Sequence, residues 1–271
     1  MKLNIIGKRY IFLTFSGIIV AASVAAVGLY GFQEGIDFKG GTLWQFKTGT
    51  DTSDLQNIEG ILKSDLGASD ARINYDLTHG SFLARLPVVD EPTHQRYAEA
   101  YKAKYSNFEE LGFQSIGPSV GSELRKNSLI ALVMVLVGIS LYIAFAFRKV
   151  YKPVSSWKYG WVTLATLFHD VAIPAGMLAI LGHYAHVEID SNFIVALLVV
   201  MGFSVHDTIV VFDRIRENLF LDRGKNDFGH VVNASVNQTM ARSINTSLTL
   251  ILVLIALYVA GPVVLRYFVL T

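Results

Sequence analysis

The sequence predicts a polytopic α-helical membrane bundle that carries one small α+β domain outside the membrane. Three observations predict it. Charged residues make up only 17% of the 271 residues, against about 25% in an ordinary soluble domain. The shortfall is concentrated in long apolar runs, each meeting the roughly 20 residues that a helix needs to cross hydrocarbon. Between the first and second runs lies one stretch of ordinary polar sequence with strand and helix periods.

Residues 1–9, with Lys2, Lys8 and Arg9, form an N-terminal arm, and residues 10–32 form the first span. The basic start and the triplet Ser23-Val24-Ala25 have the form of a cleavable signal. The apolar run continues past that triplet and further spans follow, which favours a retained helix. Residues 33–126 read as the outside domain. A strand is expected over 42–46 and a helix over 53–66. Ser53 is the expected N-cap, and Leu55, Ile58, Ile61, Leu62 and Leu66 lie on one face before Gly67 stops the helix. Strands are expected over 71–75 and 81–86 around a turn at 78–80. A second helix over 93–105 enters after Pro92, and 112–116 closes the domain as a strand. The order β-α-β-β-α-β is that of a ferredoxin-like split βαβ unit, a fold that says little about chemistry. His79 and His94 have no ligand spacing around them and read as surface histidines.

Residues 127–271 hold the remaining spans, over 127–147, 159–184, 191–212 and 243–265. Pro174 with Gly176 reads as a kink, and Gly202 and Ser204 as positions of close helix packing. Basic residues gather in the N-terminal arm, at Arg148, Lys149, Lys152 and Lys158, and at Arg214, Arg216, Arg223 and Lys225; residues 182–190 have none. By the positive-inside rule these basic segments are cytoplasmic, and residues 33–126 are outside. The chain has no cysteine, which excludes disulfides, thiol catalysis and Cys-ligated metals. A net charge of +1 gives no bulk field for nucleic acid.

Two aspartates interrupt the apolar runs: Asp170, beside His169, and Asp207, beside His206. An aspartate at the centre of a spanning helix costs about 2.5–3.5 kcal/mol on insertion scales. Such residues usually face a bundle interior and serve ion paths or proton relays. Desolvation disfavours the charged carboxylate, so a proton can bind and leave, and histidine titrates near neutrality. Counting residues places Asp207 roughly 9 Å above Asp213, and Asp170 roughly 18 Å past Lys158, at 1.5 Å per residue. Arg242 stands at the inner end of the fifth span, where its long side chain is expected to reach Asp207 and pair with it when ionised. The alternative for His169 and Asp170 is a polar seam between helices. The cluster of Asp213, Arg214, Arg216 and Glu217 reads as an interfacial set of ion pairs.

Several stretches resemble the SecD/SecF family of bacterial protein-export membrane proteins, and its SecF branch in particular. Gly35-Ile36-Asp37-Phe38-Lys39-Gly40-Gly41-Thr42 looks like the family signature, and Gly7-Lys8-Arg9 like the SecF start. Val120-Gly121-Ser122-Glu123-Leu124, His169-Asp170, the block from Asp207 to Asn218, and Asn237-Gln238-Thr239 with Arg242 match in order and spacing. The resemblance implies a membrane fold like that of resistance–nodulation–division transporters. It implies an accessory role in export, driven by the proton gradient, with a SecD-like subunit and the SecYEG channel as partners. Translocating unfolded polypeptides and membrane lipids would also contact it; nucleic acid, cofactors, metals and enzyme chemistry are not expected. No phosphate-binding glycine loop is present. Carried over by position, the resemblance puts Asp207 and Arg242 in the proton path; His206, His169 and Asp170 are candidate relay members on their own chemistry, as titratable residues within the apolar runs. Gly35, Asp37, Phe38, Gly40 and Gly41 are the signature residues. It also implies a multi-pass protein of the bacterial cytoplasmic membrane with its N-terminus inside. Because the outside domain is joined directly to both flanking spans, it is expected to swing and so pull or retain an emerging polypeptide.

Two departures stand out. His206 replaces the asparagine that many SecF sequences carry before the aspartate. Residues 266–271 stand where a sixth span should begin, so the sequence reads as truncated there. The competing readings are a proton-driven exporter of lipids or small molecules, a purely structural partner, and an intramembrane metal site. Against the metal site, adjacent helical residues point about 100° apart, and no His/Asp i,i+4 face exists.

Overall fold

The computed structural model describes residues 3–76, 80–148, 154–261 and 269. A 3-10 turn, Ile6–Lys8, leads into α1 (Arg9–Tyr30). The polar segment then runs α2 (Ile36–Lys39), β1 (Gly41–Lys47), α3 (Leu55–Gly60), β2 (Arg72–Asp76), β3 (Ser81–Leu86), α4 (Glu91–Lys104) and β4 (Glu109–Ile116). Four long helices follow: α5 (Pro118–Ala146), α6 (Ser156–Ala185), α7 (Ser191–Asp222) and α8 (Phe228–Ala260). The chain divides into two compact units, one of Met1–Gln33 with Leu129–Thr271 and the other Glu34–Ser128.

The first unit is helical. Among the described residues, five helices are long and apolar enough to cross a membrane. The helices outrun the apolar stretches: α7 continues to Asp222 and α8 begins at Phe228. A carboxylate caps the start of each of these helices. Asp190 accepts from the Phe193 amide at the start of α7, and Asp227 from the Gly229 amide at the start of α8. α1 packs on α6, α6 on α7, and α7 on α8. Gly176 is a crossing point: a methyl group there would overlap the Cα and Cβ of Ser23 on α1. Gly160 does the same for α5, since its Cβ would lie 2.8 Å from the Ser140 carbonyl oxygen. Gly202 does not match the expectation of close packing, because a Cβ there meets nothing within 4 Å. The expected start of a sixth span lies outside the described residues, Val269 excepted.

The second unit is a four-stranded antiparallel sheet in the order β2-β3-β1-β4, the ferredoxin-like arrangement. β1 sits centrally, with Trp44 opposite Ala84 of β3 and Phe113 of β4. Its inward residues Trp44 and Phe46 join Ile58, Leu62, Phe82 and Tyr101 in a fully enclosed core. The helix expected over 53–66 divides into a 3-10 turn (Thr52–Asp54), α3, and a π turn (Ile61–Asp65). Its cap is Asp51, which accepts from the Ser53 amide, rather than Ser53. α4 likewise starts earlier than expected. Asp90 caps it and Pro92 lies within its first turn, where the missing N–H costs nothing. His94 is not a surface residue: it is 5% exposed, stacked on Phe113 at 3.7 Å and edge-on to Trp44 at 5.7 Å. α4 lays it on the sheet, a tertiary contact that ligand spacing cannot report. His79 and the turn at 78–80 lie outside the described residues except for Gly80.

The caps carry a pH prediction. The Ser53 hydroxyl and amide hold the Asp51 carboxyl below the usual carboxylate range, and the Thr93 hydroxyl and amide do the same for Asp90. A carboxyl whose pKa is depressed on folding contributes stability that is complete above its unfolded pKa. That stability is lost as pH falls through the folded pKa. Amide protection in the 3-10 turn Thr52–Asp54 and at the start of α4 should therefore weaken below about pH 4, before that of the central strands. Hydrogen exchange on the whole chain, corrected for intrinsic acid dependence, checks this; simultaneous loss everywhere would contradict it.

Candidate functional site

The titratable residues of the membrane unit fall into two groups. In the first, Asp170 of α6 is held from both sides. His169 Nδ1 lies 2.8 Å from Asp170 Oδ1, and the Ser204 hydroxyl of α7 donates to Asp170 Oδ2. Asp170 thus ties α6 to α7, as the polar-seam alternative required. Ser204, expected to serve packing, is a hydrogen-bond donor to a carboxylate. Its residue type was the only signal: a hydroxyl in an apolar run.

Asp207 lies one turn further along α7. Ser204 and Asp207 are i and i+3, so they share a helix face about 4.5 Å apart along the axis. Thr208 covers the same turn, donating to the Ser204 carbonyl at 3.0 Å. Asp207 Oδ1 is enclosed and has no hydrogen-bond partner among the described residues. A buried acceptor left without a donor costs about 1–3 kcal/mol. His206 points elsewhere: it is exposed and takes part in none of the hydrogen bonds or ion pairs among the described residues.

The second group lines a cleft of about 580 Å³ between α5, α7 and α8, walled by Phe147, Ile209, Val210, Gln238 and Thr239. Arg214 pairs with Glu217 at 2.6 Å and donates through Nε to Gln238 Oε1 at 2.5 Å. Arg216 pairs with Asp213. Asn218 Nδ2 donates to the same Gln238 oxygen at 2.9 Å and to Ser235 Oγ at 2.8 Å, which fixes α7 against α8. With both acids already matched, Arg242 is the remaining cation among the described residues that line the cleft. The expected reach of Arg242 to Asp207 is not what the structure holds. Arg242 opens into the cleft, Asp207 is not part of its lining, and no ion pair joins them. Among the described residues no three His, Asp or Glu side chains gather to hold a metal ion.

The signature stretch belongs to the domain. Gly40 has φ +80°, and a Cβ on it would meet the Pro118 backbone at 2.9 Å. Gly121 is the reciprocal gap, since its Cβ would lie 2.9 Å from the Gly40 nitrogen and 3.0 Å from the Phe38 oxygen. The glycines let the chain pass directly beneath the first turns of α5. Gly41 also has positive φ, at +131°, and Gly35 caps α2. Asp37 and Phe38 are buried, and Gln114 Nε2 donates to Asp37 Oδ1 at 3.4 Å.

Long apolar helices with carboxyl groups between them, and a ferredoxin-like domain, define a multi-pass membrane protein with ionisable groups inside its helical unit. The family model for the C-terminal part of SecD/SecF protein-export membrane proteins matches residues 96–271. The protein translocase subunit SecF of Thermobaculum terrenum is 41% identical, over 99% of this chain and 86% of its own length. SecF of Anaerolinea thermophila is 33% identical over 98% of this chain and 85% of its own. The crystal structure of SecDF from Thermus thermophilus, a translocon-associated membrane protein, matches with a TM-score of 0.82 at 31% identity. That match covers 100% of this chain and 35% of SecDF, so the chain spans about a third of that protein. The chain belongs to the SecD/SecF family of protein-export membrane proteins.

Proposed function

We propose that this chain is a SecF-type accessory subunit that uses the proton gradient to assist protein export across the cytoplasmic membrane. Its partner is a SecD-like subunit, a reading supported by the Thermus SecDF, in which the matching region is one part of a longer chain. The SecYEG channel is the site of action, and unfolded polypeptides are the cargo. The N-terminus is cytoplasmic and the Glu34–Ser128 unit faces outside, as the distribution of lysine and arginine requires. The chain makes and breaks no covalent bond; it transmits work.

The observation that carries the reading is the enclosed, unpartnered Oδ1 of Asp207. A proton satisfies that oxygen as a neutral acid. Its departure leaves a carboxylate in an apolar setting, which attracts the unmatched Arg242 at the nearby cleft. Two charge states thus favour two arrangements of α7 and α8, and a proton selects between them. Ser204, Asp170 and His169 extend the polar route from Asp207 toward α6. The Glu34–Ser128 unit is covalently continuous with α1 and α5, so helix movement reaches it through the chain. The test is export into vesicles holding this chain, a SecD-like partner and the channel. Stimulation by the pair is expected to vanish when an uncoupler collapses the gradient with ATP supply unchanged. Stimulation that persists without a gradient would refute the reading.

A further inference from the structure

Residues 3–6 are held along α8 by two asparagine side chains. Asn237 Oδ1 accepts from the Leu3 amide at 2.8 Å, and Asn237 Nδ2 donates to the Leu3 carbonyl at 2.9 Å. One carboxamide therefore pairs with both backbone groups of one residue, as a neighbouring strand would. Asn233, one turn earlier, donates through Nδ2 to the same carbonyl at 3.1 Å. Its Oδ1 accepts from the Ile5 and Ile6 amides at 2.9 and 3.1 Å. Gly229, a further turn back, completes the face: the nearest atom of the arm to its Cβ position is Ile6 Cγ2, at 3.7 Å. Residues 229, 233 and 237 share one side of α8 at i, i+4 and i+8. The contact reads backbone, so it depends on the two carboxamides and not on which side chains the arm carries.

The arm leads without a loop into the turn Ile6–Lys8 and α1. α1 packs on α6, α6 on α7, α7 on α8, and α8 on the arm's turn. The arm therefore closes these helices into a circuit. α8 cannot slide or roll relative to α1 without breaking the bonds at Asn233 and Asn237. Asn237 adjoins Gln238, the acceptor for Arg214 and Asn218, and lies about 7.5 Å along the axis from Arg242.

We infer that Asn233, Asn237 and the backbone of residues 3–6 form a clasp that sets the height of α8, and so positions Arg242 relative to Asp207. The two asparagines are positioning residues. The inference rests on the proton-coupling reading for its consequence, but not for its existence.

The experiment has two arms, both on the whole chain with its SecD-like partner. In the first, hydrogen exchange measures the Leu3, Ile5 and Ile6 amides. Protection is expected, and Asn233→Ala with Asn237→Ala should lower it at least about tenfold, given net hydrogen-bond values of about 0.5–1.5 kcal/mol each. Asn237→Asp, which keeps the acceptor and loses the donor, should have an intermediate effect. Amides that exchange freely in the unsubstituted chain would overturn the clasp. In the second arm, export stimulation is followed against pH. Loosening the clasp should move the midpoint of the profile at equal expression and partner assembly, with Asn237→Asp moving it less than the double variant. An unmoved midpoint despite lost protection would overturn the positioning role. Failure of the coupling reading shows itself separately, as stimulation that needs no gradient while the amides stay protected.

Discussion

Replacing Asp207 with asparagine is expected to reduce export stimulation to the level of vesicles lacking the chain, while the helical unit remains at least as stable. Asparagine has nearly the shape of protonated aspartic acid, so the packing of α7 is preserved. It cannot release a proton, so the arrangement that answers to a carboxylate is never selected. Stability and activity should move apart for a physical reason. Asp207 Oδ1 is enclosed without a partner, and an aspartate within a spanning helix costs up to about 2.5–3.5 kcal/mol. The amide avoids the charged form altogether. Thermal unfolding in detergent and gradient-driven export, measured on the same preparation, check both halves. Undiminished stimulation would remove Asp207 from the coupling path. A fall in stability parallel to the fall in activity would make it a structural residue.

Trp44→Ala is expected to cost about 3–5 kcal/mol, the range for deleting a large buried aromatic ring. Trp44 is fully buried at the centre of β1, with ring centroids of Phe46 at 4.5 Å, Tyr101 at 5.4 Å and Phe108 at 6.0 Å. Against a usual domain stability of about 5–15 kcal/mol, that loss brings the Glu34–Ser128 unit near its unfolding threshold. Trp44→Phe should be far milder. The indole Nε1 is buried without a partner among the described residues, so phenylalanine removes ring area and an unsatisfied donor together. Limited proteolysis of the whole chain across a denaturant series measures the domain without excising it. Equal losses for the two substitutions would contradict the packing account.

Much of this protein is legible in its residues. Apolar run length yields the spanning helices, because the need to pair every backbone group in hydrocarbon leaves few alternatives. Alternation and turn residues yield the strands of the domain, and an aspartate in an apolar run announces itself by its cost. Errors gathered where a decision was not local. The first helical segment is capped by Asp51, through its 3-10 turn, and α4 by Asp90, each carboxylate accepting an amide two or three residues ahead. His94 went inside because α4 lies on the sheet. Close packing fell to Gly176 and not to Gly202, because spacing along a helix does not say which side meets a neighbour.

The residues alone are therefore enough for the class of molecule, the number of apolar helices described, the ferredoxin-like order and the aspartates that have to be explained. Partnership needed three dimensions. Only the packed helices reveal that Asp170 is satisfied by Ser204 whereas Asp207 is left open, that Arg242 faces a cleft, and that Asn233 and Asn237 grip the chain's own beginning. Periodicity and burial cost are properties of short segments. Which donor meets which acceptor is settled by helices far apart in the chain crossing at one point.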